Sequence, residues 1–285
     1  MSANWLPTVE HRSDRVTPEA ARSLHDLLDR PGMVPGVGDR LPLLWHWLAF
    51  TPQARQADIG QDGHPHTGRF LPPAVGRRRM YAGGQVSMTG DVRIDERLQR
   101  TSVVTDVRDK QGKSGPLLFV KVEHDISGPG GAILDRNDIV YREPQPQTGP
   151  VASGDCLNDA EWSWGRTVPI DPVLLFRISA LTYNAHRIHY DREYATTVEG
   201  YPGLVVHGPL QALLLADLAD RTFPQRPVAS FAFRSLAPAF DDSPLELRGR
   251  CNTETGDLEL AVFTREGEQT MSAKAAMSTD KEELK

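Results

Sequence analysis

Residues 205–221 read VVHGPLQALLLADLADR, and this stretch decides the fold class. Apolar side chains fall on almost every side of the helix that it would form, from Leu210 to Leu218, and Phe223-Pro224 ends that helix. A helix that is hydrophobic nearly all round must be buried nearly all round. An antiparallel sheet wrapped around the helix would supply this burial, so the sequence predicts an α+β fold.

Strands are predicted on both sides of this helix, because apolar and polar residues alternate between turn residues. After the helix, the predicted strands cover residues 228–236, 245–251, 258–264 and 270–277. Earlier in the chain, the alternation runs from Gln85 to Arg142 in three runs, separated by turns at residues 110–115 and 128–131. The sequence therefore predicts an antiparallel meander in each half of the chain.

The N-terminal half also opens with a helix signal. Thr17 is predicted as the N-cap and Pro18 as the first helical residue, and Pro31-Gly32 ends the helix. The apolar residues 41–50 fit either a short buried strand or a helix, since periodicity cannot separate the two over ten residues. The halves thus repeat the order of opening segment, helix and meander.

A proline-bearing stretch between the halves, residues 143–154, has neither an apolar period nor enough bulk to pack. Such a stretch is typical of a semi-extended linker. We place the domain boundary there, with an N-terminal domain of residues 1–145 and a C-terminal domain of residues 146–285.

Composition limits the class of partner and the compartment. The chain of 285 residues has a net charge of -6 and a pI near 5.9, which argues against a nucleic-acid or anionic-membrane surface. Cys156 and Cys251 are too few for a disulfide framework, which favours a reducing compartment. No segment reaches the roughly 20 apolar residues of a membrane helix, and the N-terminus lacks a signal-peptide core. We expect a soluble, cytoplasmic protein.

Two motifs resemble those of the MaoC-type hot-dog hydratases and dehydratases. Residues 181–191, LTYNAHRIHYD, stand where that family has Gly-Asp-x-Asn-Pro-x-His-x-Asp, and residues 199–210, EGYPGLVVHGPL, match its His-Gly step into the central helix. Asn184 occupies the place of the family's catalytic Asp, and His186 that of its Asn. Residues 77–84, RRRMYAGG, are similar to an Arg-Arg-Met-Trp-Ala-Gly-Gly element of the branch that includes mesaconyl-CoA and itaconyl-CoA hydratases.

The resemblance implies a double hot-dog, in which two central helices are each wrapped by an antiparallel sheet. It also implies that the N-terminal half, which resembles a fatty-acid-synthase dehydratase, binds substrate and CoA, whereas the C-terminal half is catalytic. The N-terminal half shows no acid/base motif of its own. We therefore expect one site per chain, at the interface of the halves.

Three residues are candidates for the chemistry of water addition. His189 is the predicted general base, because imidazole has an unperturbed pKa of about 6.5. Asn184 cannot take up a proton but can position water through its amide; the alternative is that it only forms a turn. Gly208 would begin the central helix, where its free N–H favours developing negative charge on a thioester oxygen.

Six further residues are candidates for substrate binding: Arg77, Arg78, Arg79, His186, His207 and Tyr201. The arginines suit either the CoA phosphates or a free carboxylate on the acyl group, and the sequence does not separate the two. His186 could also set the tautomer of His189. His64 and His66 are interpreted as loop residues. Gly83-Gly84 alone is a weak signal for a phosphate loop.

A metal set formed by His186, His189 and Asp191 is the alternative reading of the histidines, and we predict no metal there. No cofactor is predicted, since CoA is part of the substrate. The predicted function is a hydro-lyase reaction, the reversible hydration of itaconyl-CoA or mesaconyl-CoA to citramalyl-CoA.

Other functions remain open on the same residues. They are a 3-hydroxyacyl thioester dehydratase of fatty-acid synthesis, a non-catalytic acyl-CoA binding module, and a thioesterase, for which Asp217 is the first acidic residue on the central helix. The predicted partner is an acyl-CoA, not nucleic acid or membrane. The predicted assembly is a monomeric double hot-dog or a homodimer.

Overall fold

The computed structural model describes residues 5–112, 115–144 and 157–278. The predicted boundary between residues 145 and 146 falls in the stretch 145–156, outside the described residues. The domain division therefore stays a prediction.

Both halves contain a short strand, a ten-residue helix and four longer strands, and the C-terminal half has one further helix of 15 residues. The N-terminal half comprises β1 (Val9–Asp14), α1 (Pro18–Leu27), β2 (Arg78–Gly90), β3 (Leu98–Gly112), β4 (Gly115–Ser127) and β5 (Gly131–Arg142). The C-terminal half comprises β6 (Trp164–Val168), α2 (Pro172–Leu181), α3 (Gly208–Thr222), β7 (Val228–Ser235), β8 (Leu245–Cys251), β9 (Leu258–Thr264) and β10 (Gln269–Met277).

The described strands form one ten-stranded antiparallel sheet in the order β1-β3-β4-β5-β2-β7-β10-β9-β8-β6. The order reads the same from either end when β1 to β5 are matched to β6 to β10. Two copies of a five-stranded unit therefore meet edge to edge at β2 and β7. This architecture confirms the predicted α+β double hot-dog class, including the four strands predicted after residue 227.

Helix α3 packs against the sheet. Its residues 210–219 are buried without interruption, and it packs on β2 and on all four strands β7 to β10. The apolar pattern of the sequence thus correctly predicted a helix that is buried on nearly all sides. Helix α3 is also too short to cross a membrane, and no other helix of the described chain is long and apolar enough to do so.

The ten-residue helices follow the same capping rule in both halves. The Thr17 hydroxyl accepts the N–H of Ala20 at α1, as predicted, and an Asp171 carboxylate oxygen accepts the N–H of Leu174 at α2. Proline occupies the first turn of both helices. The Asp171-Pro172 signal for α2 was present in the sequence, but α2 was not predicted.

The expectation of two central helices needs correction. The counterpart of α1 is α2, and the described N-terminal half contains no helix matching α3. Residues 41–50 are buried in the core instead, with only a 3₁₀ turn, Trp45–Leu48. Leu44 and Phe50 adopt positive φ values of 70° and 56°, which interrupt a regular helix on both sides of this turn.

Strand β2 begins earlier than the alternation predicts, and its glycines form the seam between the halves. Gly83 and Gly84 pair with Arg234 and Phe233 of β7, next to a bulge. A Cβ on Gly83 would overlap the carbonyl oxygen of Phe233, and one on Gly84 would lie 2.6 Å from the Arg136 oxygen. These glycines therefore allow strand contact, and they form no phosphate loop.

We expect Gly83→Ala to destabilise the protein by about 1–3 kcal/mol, because the added methyl group overlaps backbone at the seam. Gly83 has a φ of 152°, so part of the cost is backbone strain. Urea unfolding measures the loss. Gly256→Ala is the matched control, since Gly256 also has positive φ, 75°, but no atom within 4 Å of the added Cβ. An equal loss in both variants would contradict the seam argument.

A candidate active site where the two halves meet

His189 is buried in the segment between α2 and α3, at the end of a 3₁₀ turn. Its Nδ1 lies 2.7 Å from the carbonyl oxygen of Val205, so Nδ1 carries the proton and donates it to that oxygen. Nε2 is then the basic nitrogen, and it forms no hydrogen bond with a described residue. Burial lowers the pKa of His189 to about 4, which keeps this imidazole neutral near neutral pH.

His207 fixes the position of the His189 ring. The two rings stack with centroids 3.6 Å apart, and His207 Nε2 lies 2.8 Å from the Ser179 hydroxyl of α2. Burial is the main reason that the pKa of His207 lies well below its usual value, and the nearby His189 lowers this pKa further. His207, which was predicted to bind substrate, thus packs against the ring of His189, the predicted base.

Gly208 is the first residue of α3, as predicted, directly after His207. Pro209 has no N–H, so the N–H of Gly208 is one of the few free donors of this helix end. A Cβ on Gly208 would lie 3.4 Å from Ser235 Oγ and 3.7 Å from Tyr81 Cδ1. Ser235 Oγ is buried without a partner in the described structure, which makes it a second donor beside Gly208 that the sequence did not indicate.

Asn184 has a local contact. Its side-chain oxygen accepts the backbone N–H of His186 at 3.1 Å, which is the turn-forming role that the sequence left open. The positioning of water by Asn184 stays a prediction.

His64 is not an ordinary loop residue. Its ring lies 4.1 Å from the ring of His186, which in turn lies 5.3 Å from that of His189. The Nδ1 atom of His64 is 3.0 Å from an Asp62 carboxylate oxygen. The N-terminal half therefore contributes an acid/base pair to the site, contrary to prediction. The tautomer of His189 is set by Val205 and not by His186.

The loop with Asp62 and His64 is tied to the C-terminal half by its backbone. The Asp62 carbonyl accepts the N–H of Arg187 at 2.9 Å, and the Gln61 carbonyl accepts from the Arg187 guanidinium at 3.1 Å. Gly63 has a φ of 92°, and any Cβ there would overlap the carbonyl oxygen of Ala185. Sequence spacing could not reveal this contact, because more than 120 residues separate the two segments.

The three predicted arginines have different environments. The Arg78 guanidinium pairs with the Glu199 carboxylate at 2.7 Å and donates to the carbonyl oxygens of Glu199 and Val198, so it holds the backbone and is not available for substrate. Arg77 lies 3.7 Å from the Asp109 carboxylate, away from the histidines. Burial is the main cause that lowers the pKa of both His64 and His186, and of the three arginines it is the half-buried Arg79 whose charge adds to this effect.

Tyr201 borders the pair formed by Arg78 and Glu199 and does not contact the histidine cluster in the described contacts. Its ring packs 6.0 Å from that of Phe240, and its hydroxyl accepts from Arg142 at 3.5 Å. Its predicted role in substrate binding stays a prediction.

The alternative metal set is not assembled. Asp191 accepts from the Arg187 guanidinium at 2.8 Å and from the backbone N–H of Tyr194 at 3.0 Å, so it does not converge with His186 and His189. Ligand atoms of Asp62, His64 and His186 do lie within 4.8 Å of one another. Because Asp62 already accepts the His64 Nδ1–H, we interpret these residues as a hydrogen-bonded Asp62–His64 pair with the His186 ring packed against His64.

Comparison with known proteins places this geometry in a family. The sequence model of hydroxyacyl-thioester dehydratase type 2 matches residues 44–241, which include parts of both halves. The mesaconyl-C(4)-CoA hydratase of Chloroflexus aurantiacus is 44% identical over 259 residues, covering 90% of this chain and 91% of that protein.

Solved structures agree on the fold. HtdX of Mycobacterium tuberculosis superposes with a TM-score of 0.65 at 14% identity, over 95% of this chain and all of that one. A conserved protein of the same organism, described as having a double hotdog fold, gives a TM-score of 0.57 at 12% identity, over 95% of both chains. At such identities the likeness concerns the fold alone.

Proposed function

Since the chain belongs to the hydroxyacyl-thioester dehydratase type 2 family, we propose that it reversibly hydrates an enoyl-CoA whose acyl group is short, branched and dicarboxylic. Mesaconyl-CoA and itaconyl-CoA are the proposed substrates, and citramalyl-CoA is the product. The observation that carries the proposal is that buried His189, whose Nε2 is unbonded in the described structure, stacks on His207, the residue directly before Gly208 at the start of α3. The 44% identity to a mesaconyl-C(4)-CoA hydratase supports the acyl class.

The site can carry out water addition without a further acid. His189 Nε2 takes a proton from water while the water oxygen bonds to the β-carbon. The electron pair of the double bond moves to the thioester oxygen, which accepts the N–H of Gly208. His189 then returns the same proton to the α-carbon, so that one water is added and the imidazole is neutral again. A donor such as this N–H contributes on the order of 3 kcal/mol to comparable acyl chemistry.

Asp217 does not support the thioesterase alternative. It lies nine residues after Gly208 on α3, which is about 13 Å along the axis. Three arginines surround its carboxylate, at 2.6 Å for Arg221, 3.0 Å for Arg166 and 3.4 Å for Arg30. A carboxylate held in this way is not free to attack a thioester.

The loss of enoyl-thioester absorbance tests the proposed function. We expect mesaconyl-CoA or itaconyl-CoA to be hydrated with a kcat/KM about 10 to 100 times that of crotonyl-CoA, because a charged hydrogen bond to the second carboxylate contributes about 1.5–3 kcal/mol. Faster turnover of dodecenoyl-CoA would favour the fatty-acid dehydratase instead. Binding without turnover would indicate a non-catalytic module, and release of free thiol would indicate a thioesterase.

A further inference from the structure

We infer that the free carboxylate of the acyl group is bound by Arg79, His64 and His186, and that His64 takes up one proton when this carboxylate binds. The inference rests on the proposed function and assigns its substrate specificity to particular residues. His64 and Asp62 have no role in the water addition described above.

The four histidines follow one another in the same order as the thioester, the double bond and the free carboxylate of the proposed substrate. The rings of His207, His189, His186 and His64 succeed one another at centroid separations of 3.6, 5.3 and 4.1 Å. With the thioester oxygen at Gly208 and the β-carbon at His189, a carboxyl group only a few carbon–carbon bonds of about 1.5 Å further on reaches His186 and His64. The cluster therefore extends the site in the direction of the acyl chain.

Arg79 supplies the fixed positive charge at this end. Among the residues that the structure describes, none forms a salt bridge with Arg79, whereas Arg78 beside it is paired with Glu199. The charge of Arg79 acts on His64, on His186 and on Tyr81 in the same region. An unpaired guanidinium whose charge acts on the buried His186 and the half-buried His64 is suited to bind a carboxylate with two parallel N–H groups.

A count of charges shows why a proton accompanies the carboxylate. The groups that face His64 are Asp62 of its own loop, Arg79 of β2, and His186 and His189 of the segment after α2. Beyond Asp62 lie Tyr141, Tyr194 and the paired Glu199. Without substrate, the negative Asp62 balances the positive Arg79, and the imidazoles are neutral.

Binding of a carboxylate would leave one negative charge uncompensated in this buried site, which is costly. A proton on His64 restores the balance. Asp62 accepts the Nδ1–H of His64, so the incoming proton binds Nε2, which then donates to the substrate carboxylate. Among the described residues, no carboxylate is hydrogen-bonded to the His186 ring in this way. Burial lowers the pKa of both imidazoles in the free protein, so the proton must come from solvent.

Calorimetry with two saturated ligands tests this inference. Methylsuccinyl-CoA carries the second carboxylate and butyryl-CoA lacks it, and neither has a double bond to hydrate. We expect titrations in buffers of different ionisation enthalpy to show uptake of about one proton with methylsuccinyl-CoA and none with butyryl-CoA. Methylsuccinyl-CoA should bind more weakly as pH rises, whereas butyryl-CoA should show no change over the same range.

Variants assign the effect to residues. Arg79→Gln should weaken methylsuccinyl-CoA binding about 10 to 100-fold, the loss expected for a charged hydrogen bond, and leave butyryl-CoA binding unchanged. His64→Gln should abolish proton uptake. Arg69→Gln and His66→Gln, which alter exposed residues of the same loop region, should change neither ligand.

Two results would overturn the inference. One is equal proton uptake with both ligands, and the other is an equal effect of Arg79→Gln on both ligands, since the CoA part is common to them. If the unaltered protein nevertheless hydrates mesaconyl-CoA, the proposed function stands and only the carboxylate site is wrong. If it hydrates no enoyl thioester, the proposed function itself fails.

Discussion

Replacement of His189 by alanine is expected to lower kcat for hydration by a factor of about 10² to 10⁴, the usual contribution of a general base. The reason is that the Val205 carbonyl holds Nδ1 of buried His189, which leaves Nε2 as its basic nitrogen, and that the His189 ring stacks on His207, the residue directly before Gly208. His189→Gln should lose nearly as much, because an amide can hydrogen-bond to water but cannot take its proton. The absorbance assay with the preferred enoyl-CoA measures both variants.

The acid side of the pH profile is a second readout of the same residue. The base must be neutral, and burial lowers the pKa of His189 to about 4. We therefore expect kcat/KM to fall as pH decreases through about 4, and not near the usual 6.5 of imidazole. Circular dichroism at each pH separates this loss from unfolding.

His66→Ala is the control for the His189 variants, since it removes an exposed histidine from the loop that carries His64. It should keep the activity of the unaltered protein. A His189→Ala variant that folds normally and retains more than about a tenth of the activity would contradict the assigned base.

Replacement of Asp217 by alanine is expected to cost about 3–5 kcal/mol of stability, the largest loss of stability that we predict for a single substitution. The Asp217 side chain is 1% exposed and accepts from Arg166 at 3.0 Å and from Arg221 at 2.6 Å, while Arg30 lies 3.4 Å away. Without the Asp217 carboxylate, which all three arginines contact, three guanidinium groups lie close together. Urea unfolding measures the difference.

The location of these arginines adds to the expected effect. Arg166 and Arg221 also donate to the carbonyl oxygen of Leu28, which follows α1 of the N-terminal half. Repulsion among them would therefore loosen a contact between the halves. Asp242→Asn alters an exposed aspartate and should stay within about 0.5 kcal/mol. A loss for Asp217→Ala as small as that of this control would show that the cluster contributes little.

Local sequence patterns were sufficient to predict helices and strands whose burial is regular along their length. The apolar run of residues 210–218 predicted a helix buried on all sides, and alternation predicted β8 and β9 with the correct ends. Patterns failed where a segment's conformation depends on distant partners. Residues 41–50 are apolar enough for a central helix, but positive φ values at Leu44 and Phe50 limit them to a 3₁₀ turn.

The candidate site shows the same division. The resemblance of residues 181–210 predicted that His189 and Gly208 belong to one site, and in the structure the His189 ring stacks on His207, directly before Gly208. The sequence did not indicate His64, which stands in a polar loop far away along the chain. Nor did it distinguish Arg78 from Arg79, which are adjacent in sequence and differ only in their partners.

The sequence by itself thus determined the fold class, the buried helix, and the histidine and glycine at its start, because each follows from neighbours within about twenty residues. The tertiary structure alone decided that Asp62 and His64 join His186, that Arg79 remains unpaired while Arg78 binds Glu199, and that Ser235 lies beside Gly208. These contacts depend on the pairing of β2 with β7 and on the docking of one loop across the halves. Such packing is a property of the whole chain and leaves no local signal.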